Sequence, residues 1–180
     1  MKLYFLRHGE SVSNFEDRHT GQQDVELTEK GRAQAVAAGK AMLESGRSFD
    51  QIISSPLARA HETATIIAGI IGYAEDAIID EPLVMERYFG SLEGKTKRET
   101  GPLSDEMIAK SGAETDERLR ERARQLLGKI PNNLDAVLVV SHNGFGKRLR
   151  SVIEGTDPLT AWRSPEFPNG ALVELADISK

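Results

Sequence analysis

The sequence predicts an α/β protein, a three-layer α/β/α sandwich around a mostly parallel central sheet, built as one domain over residues 1–180. Three observations carry this expectation. Short apolar runs alternate along the chain with longer segments of helical periodicity, the pattern of strands joined by crossover helices. The run Ala136 to Val140, AVLVV, is continuously apolar, as in a central strand covered on both faces. Polar, chemistry-bearing residues follow directly after three of the runs: Arg7-His8, Ser54-Ser55 and Ser141-His142.

In chain order, Lys2 to Leu6 reads as the first strand and ends in Arg7-His8-Gly9. An alanine-rich helix over Thr28 to Ser45 follows, with Thr28 as N-cap. Phe49 to Ser54 is a second strand. The segment SPLARAHETATIIAGII then reads as a helix with Ser55 at the N-cap and Pro56 at N1, where its missing N–H costs nothing. Its residues Leu57, Ala60, Ala64, Ile67, Ala68 and Ile71 share one helical face. Ala77 to Ile79 is a third strand, and Thr115 or Asp116 caps a helix running through Gln125-Leu126-Leu127. After AVLVV comes a helix from Gly144 through Ile153, and Ala171 to Leu175 completes the sheet. In open α/β sheets the ligand crevice lies outside the carboxyl ends of the strands. His8, the start of the Arg59 helix and His142 are therefore expected to converge, although they lie far apart in sequence.

A chain of 180 residues can bury a substantial core, and 39% hydrophobic with 28% charged residues is ordinary for a globular protein. The net charge of -5 argues against a nucleic-acid partner, which would call for a basic excess. The absence of cysteine excludes disulfides, thiol nucleophiles and cysteine metal sites. No apolar run approaches the roughly 20 residues that span a bilayer, and Arg7 and His8 interrupt the one candidate signal segment. No membrane partner is expected, and the expected location is the cytoplasm. Oligomeric state is not legible.

Of the four histidines, His19 and His61 read as structural or exposed. His8 and His142 differ, since each follows an apolar strand and precedes Gly9 or Asn143-Gly144, where glycine permits a close backbone approach. No H-x-x-x-H or H-E-x-x-H accompanies them, so no metal site is expected. Ser141 lacks a G-x-S-x-G elbow, and GFGKR lacks the P-loop spacing. What is left is a site of arginines and histidines. Arginine's planar fork suits a dianionic phosphate, and a neutral imidazole kept so by nearby arginines can attack phosphorus. Chemistry alone therefore suggests phosphoryl transfer with a histidine nucleophile.

Five ordered blocks make the chain resemble the histidine phosphatase superfamily, also called the phosphoglycerate mutase-like family: LRHGES followed by Asn14, TGQQDVELTEKG, SSPLARAHETA, MERYFGSLEG and VVSHNG. The resemblance implies the phosphoglycerate mutase-like version of the predicted fold. His8 would be the nucleophile that becomes phosphohistidine. Arg7, Arg59 and His142 would hold the phosphoryl oxygens with help from Asn14. Glu86 would protonate the leaving alkoxide and later activate water. Thr20, Gly21, Asn143, Arg87 and Lys97 are further candidates for contact with substrate, a small phosphorylated metabolite. No metal or cofactor is implied.

Two departures stand out. The second histidine motif usually reads His-Gly, whereas here Asn143 intervenes, and a left-handed turn tolerates asparagine. Gln22 stands where an aromatic residue often follows the glycine, which bears on pocket shape. Cofactor-dependent phosphoglycerate mutases carry a long basic insertion after the glutamate block, and here only about twenty residues, Lys95 to Glu114, occupy that place. Lys97 and Arg87 match the mutases; the missing insertion favours a phosphomonoesterase. The run GKTKRETG reads as a mobile, solvated lid. A non-catalytic phosphate-binding module on the same fold stays as an alternative of another class.

Overall fold

The computed structural model describes residues 1–157 and 164–177. Five strands form one mixed sheet: β1 (Lys2–Arg7), β2 (Gln51–Ser54), β3 (Ile79–Asp80), β4 (Ala136–Ser141) and β5 (Leu172–Asp177). Their spatial order is β3-β2-β4-β1-β5, all parallel except the antiparallel edge strand β5. AVLVV is central as its composition demands, with Val137 to Val140 fully buried. Apolar residues alternate between the two faces. Tyr4, Leu6, Leu138 and Val140 pack under helices α2 (Glu29–Glu44) and α3 (Ala58–Ile71). Leu3, Phe5, Val137 and Val139 pack under α6 (Asp116–Lys129) and α7 (Asn143–Glu154). The three-layer sandwich with a mostly parallel sheet is thus the observed architecture. Three shorter helices, α1 (Val12–Phe15), α4 (Lys97–Thr100) and α5 (Asp105–Ser111), stand at the carboxyl ends of the strands and in the long β3–β4 connection.

Local chemistry accounts for most boundaries. Thr28 caps α2, its hydroxyl accepting from Gly31 N at 3.0 Å, and Thr115 caps α6 through Arg118 N at 3.2 Å; caps of this kind contribute about 1 kcal/mol each. Three expectations need correction. The residue before α3 is Leu57 and not Ser55, because the Ser55 hydroxyl accepts from Leu57 N and bonds His142 instead. The first turn of α3 is capped from elsewhere, by Asp24 Oδ1 on Ala58 N at 2.7 Å. The third strand is displaced to Ile79–Asp80, since Glu75–Ala77 turns as a 3-10 helix closed by Ala77 N on Ala74 O. GKTKRETG is no free lid. Thr96 and Glu99 form a capping box, and backbone bonds His19 N to Lys95 O, Gly94 N to His19 O and Lys97 N to Asp17 O lace the run to residues 17–19.

Candidate active site

Strand register brings the two histidines together. β1 and β4 are parallel neighbours with Arg7 opposite Ser141, so the next residue of each strand end, His8 and His142, arrives side by side. Their ring centroids lie 5.0 Å apart. Past β2, Ser55 N bonds Val140 O and completes the row. Helix α3 is tied to this row by Thr63, whose hydroxyl donates to Arg59 O and accepts from Gly9 N at 3.1 Å. Gly9 is glycine for packing and not for a ligand: a Cβ there would collide with the Gly31 backbone of α2.

A hydrogen bond assigns the His8 ring proton. His8 Nδ1 lies 2.6 Å from Gly9 O, an acceptor only, so Nδ1 carries the proton and Nε2 keeps its lone pair. Ser55 Oγ already accepts from Leu57 N and sits 2.8 Å from His142 Nε2. That hydroxyl keeps one lone pair and one hydrogen for the imidazole, so the contact is satisfied in either His142 tautomer. His142 Nδ1 and the Nε of Arg7 are buried without a hydrogen-bond partner among the described residues. Buried polar atoms are costly to leave unmet, at about 1–3 kcal/mol each, and both adjoin His8.

Electrostatics keeps both rings neutral. Burial, then the Arg59 and Arg7 guanidiniums, push the His8 imidazolium well below its ordinary pKa, and the Gly9 carbonyl opposes this in part. His142 is lowered likewise by burial, Arg59, His8 and Arg7. Arg59 itself is brought down to about 10 by burial, yet it stays charged at neutral pH. Its NH2 and NH1 groups donate to Gly21 O and Gln23 O at 2.8 and 2.9 Å. A pH dependence of stability follows. The unfolded chain holds protons on both histidines below about pH 6.5, the folded one does not, so stability falls as pH drops below that value. We expect a loss on the order of 1 kcal/mol per pH unit per histidine, read by denaturant unfolding at pH 7.5 and 5.5. His8→Gln should flatten the dependence, and an unchanged slope in that variant would contradict the assignment.

Glu86 reaches the row from the loop after β3. Its carboxylate accepts from Gly144 N (3.0 Å), Phe145 N (3.1 Å) and Arg87 N (2.8 Å), at the positive end of α7. Gly144 leaves room for the Glu86 carboxylate, which a Cβ at that position would displace. Asn143 occupies the first turn of α7 and has no left-handed backbone, contrary to the expectation of a turn there; its Oδ1 accepts from Phe167 N. Asn14 is held by the Ser11 capping box and by Asn169 Nδ2 at 3.2 Å.

These elements enclose a cavity of about 130 Å³ whose walls include Arg7, His8, Asn14, Thr20, Gly21, Arg59, Glu86, Lys97 and Asn143. It is smaller than the roughly 300–1,000 Å³ of drug-sized pockets. His142 is fully buried directly behind His8. Arg87, like His142, is outside this lining; its side chain is buried, with Nε on Glu114 O at 2.8 Å and the guanidinium over Phe89. Gln22 is likewise outside it and donates to Glu86 O at 3.0 Å, bracing that loop. Arg18, His19, Phe89 and Glu166 also line the cavity and were not anticipated. His19, read above as structural or exposed, forms part of the wall and bonds Thr100 Oγ1 at 3.0 Å. His61 pairs with Asp80 at the surface, as expected of an exposed histidine. Among the described residues no cluster of three or more His, Cys, Asp or Glu could hold a metal ion, and no helix is long and apolar enough to cross a membrane.

Fold and site define a class: α/β proteins in which two neutral histidines at adjacent strand ends stand among arginines and one helix-capped glutamate, an arrangement suited to an anion. The chain belongs to the histidine phosphatase superfamily (branch 1), whose family model matches residues 3–177. Over 97 residues it is 41% identical to the 2,3-bisphosphoglycerate-dependent phosphoglycerate mutase of Bartonella tribocorum, covering 54% of this chain and 47% of the relative. The chain spans about half the length of the curated relatives it matches. Among solved structures, a mycobacterial glucosyl-3-phosphoglycerate phosphatase superposes with a TM-score of 0.79 at 25% identity, covering 95% of this chain and 87% of that one. The alpha-ribazole phosphatase of Shigella flexneri gives 0.81 at 22% identity over 96% and 88% of the two chains, a likeness of fold.

Proposed function

We propose that the protein is a metal-independent phosphomonoesterase acting on a small phosphorylated metabolite through a phosphohistidine on His8. His8 Nε2 attacks phosphorus, the bond to the leaving oxygen breaks, and that oxygen takes a proton from the Glu86 carboxyl group. Water then attacks the phosphohistidine, Glu86 takes a proton from it, and the P–N bond breaks to restore His8 and free phosphate. Arg7, Arg59, His142 Nδ1 and Asn14 hold the phosphoryl oxygens, their charge serving where other phosphoryl-transfer sites use a magnesium ion. The observation that carries this reading is the orientation of the His8 ring, which leaves Nε2 with its lone pair. Its Nδ1 is fixed on Gly9 O, and Arg7 Nε and His142 Nδ1 are buried nearby without a partner among the described residues.

A mutase is the second reading, favoured by the names of the curated relatives. Against it stands the placement of Arg87, one of two residues that match the mutases, outside the cavity lining. The other, Lys97, lines the cavity but pairs with Asp17 at 2.6 Å. The test offers 3-phosphoglycerate with and without 2,3-bisphosphoglycerate, beside a panel of phosphorylated metabolites and in excess chelator. We expect release of inorganic phosphate that chelator leaves unchanged. Appearance of 2-phosphoglycerate in place of phosphate would establish the mutase, and loss of activity on chelation would refute metal independence.

A further inference from the structure

We propose that Arg122, on α6 and outside the cavity lining, is the positioning residue for the Glu86 carboxyl group; the inference rests on Glu86 being the proton donor argued above. The segment Leu83 to Glu86 lies outside the sheet, so its carbonyls have no strand partner and must be satisfied otherwise. Side chains do this. Arg122 NH1 donates to Leu83 O at 2.6 Å and Met85 O at 2.8 Å, and NH2 to Glu86 O at 3.3 Å. Ser141 Oγ takes Val84 O at 2.6 Å. One guanidinium thus holds three of four successive carbonyls leading into the catalytic candidate.

The guanidinium is itself held. Glu114 grips it with both oxygens, Oε1 on Nε at 2.8 Å and Oε2 on NH2 at 2.6 Å, and the two side chains are only 16% and 12% exposed. It also lies 5.6 Å over the ring of Phe145, whose own N–H supports Glu86 Oε1. Arg122 therefore touches both the backbone that delivers Glu86 and a residue that holds its carboxylate. Five donors in a rigid fork make this possible; lysine offers a point charge that cannot span the same acceptors. A proton donor displaced by about 1 Å can lose on the order of 10²-fold in rate. That loss falls on the proton-transfer steps and spares the attack of His8 on an ester whose leaving group needs no proton.

The test compares Arg122→Lys with wild type on an alkyl phosphate and on 2,4-dinitrophenyl phosphate, reading for the latter the rate of phosphoryl transfer to His8. Alkyl phosphate turnover should fall about 10- to 100-fold, while transfer from the dinitrophenyl ester stays within about threefold. In a Glu86→Gln background, Arg122→Lys should cost little more on the alkyl ester, since it acts through Glu86. Glu114→Gln, which loosens the same fork, should show the same selectivity in weaker form and serves if Arg122→Lys does not fold. Equal losses on both esters, or full additivity with Glu86→Gln, would overturn the proposal and leave the role of Glu86 standing. If Glu86→Gln alone shows no dependence on the leaving group, the proton-donor reading falls and this inference with it.

Discussion

His8→Gln is expected to reduce turnover of every phosphomonoester by at least about 10⁴-fold, because it removes the imidazole whose free Nε2 is the proposed nucleophile. His19, the other imidazole of the lining, has its Nε2 on Thr100 Oγ1. The fold should tolerate the change. His8 is buried, but its ring makes one hydrogen bond, Nδ1 to Gly9 O, which the amide of glutamine can approximate. The melting temperature should stay within about 5 °C of wild type. Steady-state rates on an aryl phosphate, taken beside the melting curve, check both halves. Full activity in a folded His8→Gln protein would end the phosphohistidine mechanism.

Glu86→Gln is expected to divide substrates by leaving group. Turnover of alkyl phosphates should fall by about 10²–10⁴-fold, the range for loss of a general acid or base. With 2,4-dinitrophenyl phosphate the first step should proceed at nearly the wild-type rate. Hydrolysis of the phosphoenzyme would then be slow, because no carboxylate activates water. A burst of dinitrophenol equal to the enzyme concentration, followed by slow turnover, is the expected trace. The substitution has a structural cost as well. Oε1 and Oε2 together accept three backbone N–H groups, and an amide NH2 cannot accept from its share of them. About 1–3 kcal/mol of stability should be lost, so the folded fraction must be measured alongside the rates. Uniform loss on both esters would indicate a misshapen site, and retained alkyl turnover would remove Glu86 from the mechanism.

Features that depend on local chemistry were readable from sequence. Thr28 and Thr115 cap their helices because a hydroxyl three residues before a free N–H suffices, whatever the tertiary setting. The meeting of His8 and His142 followed from their place at parallel strand ends, and the register of β1 on β4 supplies the neighbourhood. Readings failed where a distant partner outcompeted a local one. Ser55 gives up the cap of α3 because His142 lies within 2.8 Å of its hydroxyl.

Other residues left no sequence signal. Arg122 looks like any charged position of a helix that also carries Arg118, Arg120 and Arg124, and only the folded chain distinguishes it. His19 reaches the cavity because residues 17–19 are laced to residues 94–97 by backbone bonds that no periodicity announces. The capping-box pattern Thr96 to Glu99 was legible, and it would have argued against a mobile lid.

The central claim is that phosphate passes through His8 Nε2. The most direct measurement is to quench the enzyme in alkali during turnover of a ³²P-labelled phosphomonoester and map the bound label by mass spectrometry. The account predicts an alkali-stable, acid-labile phosphoryl group on His8, absent from His8→Gln. Label on any other residue, or product formed in a burst while His8 stays unmodified, would contradict it.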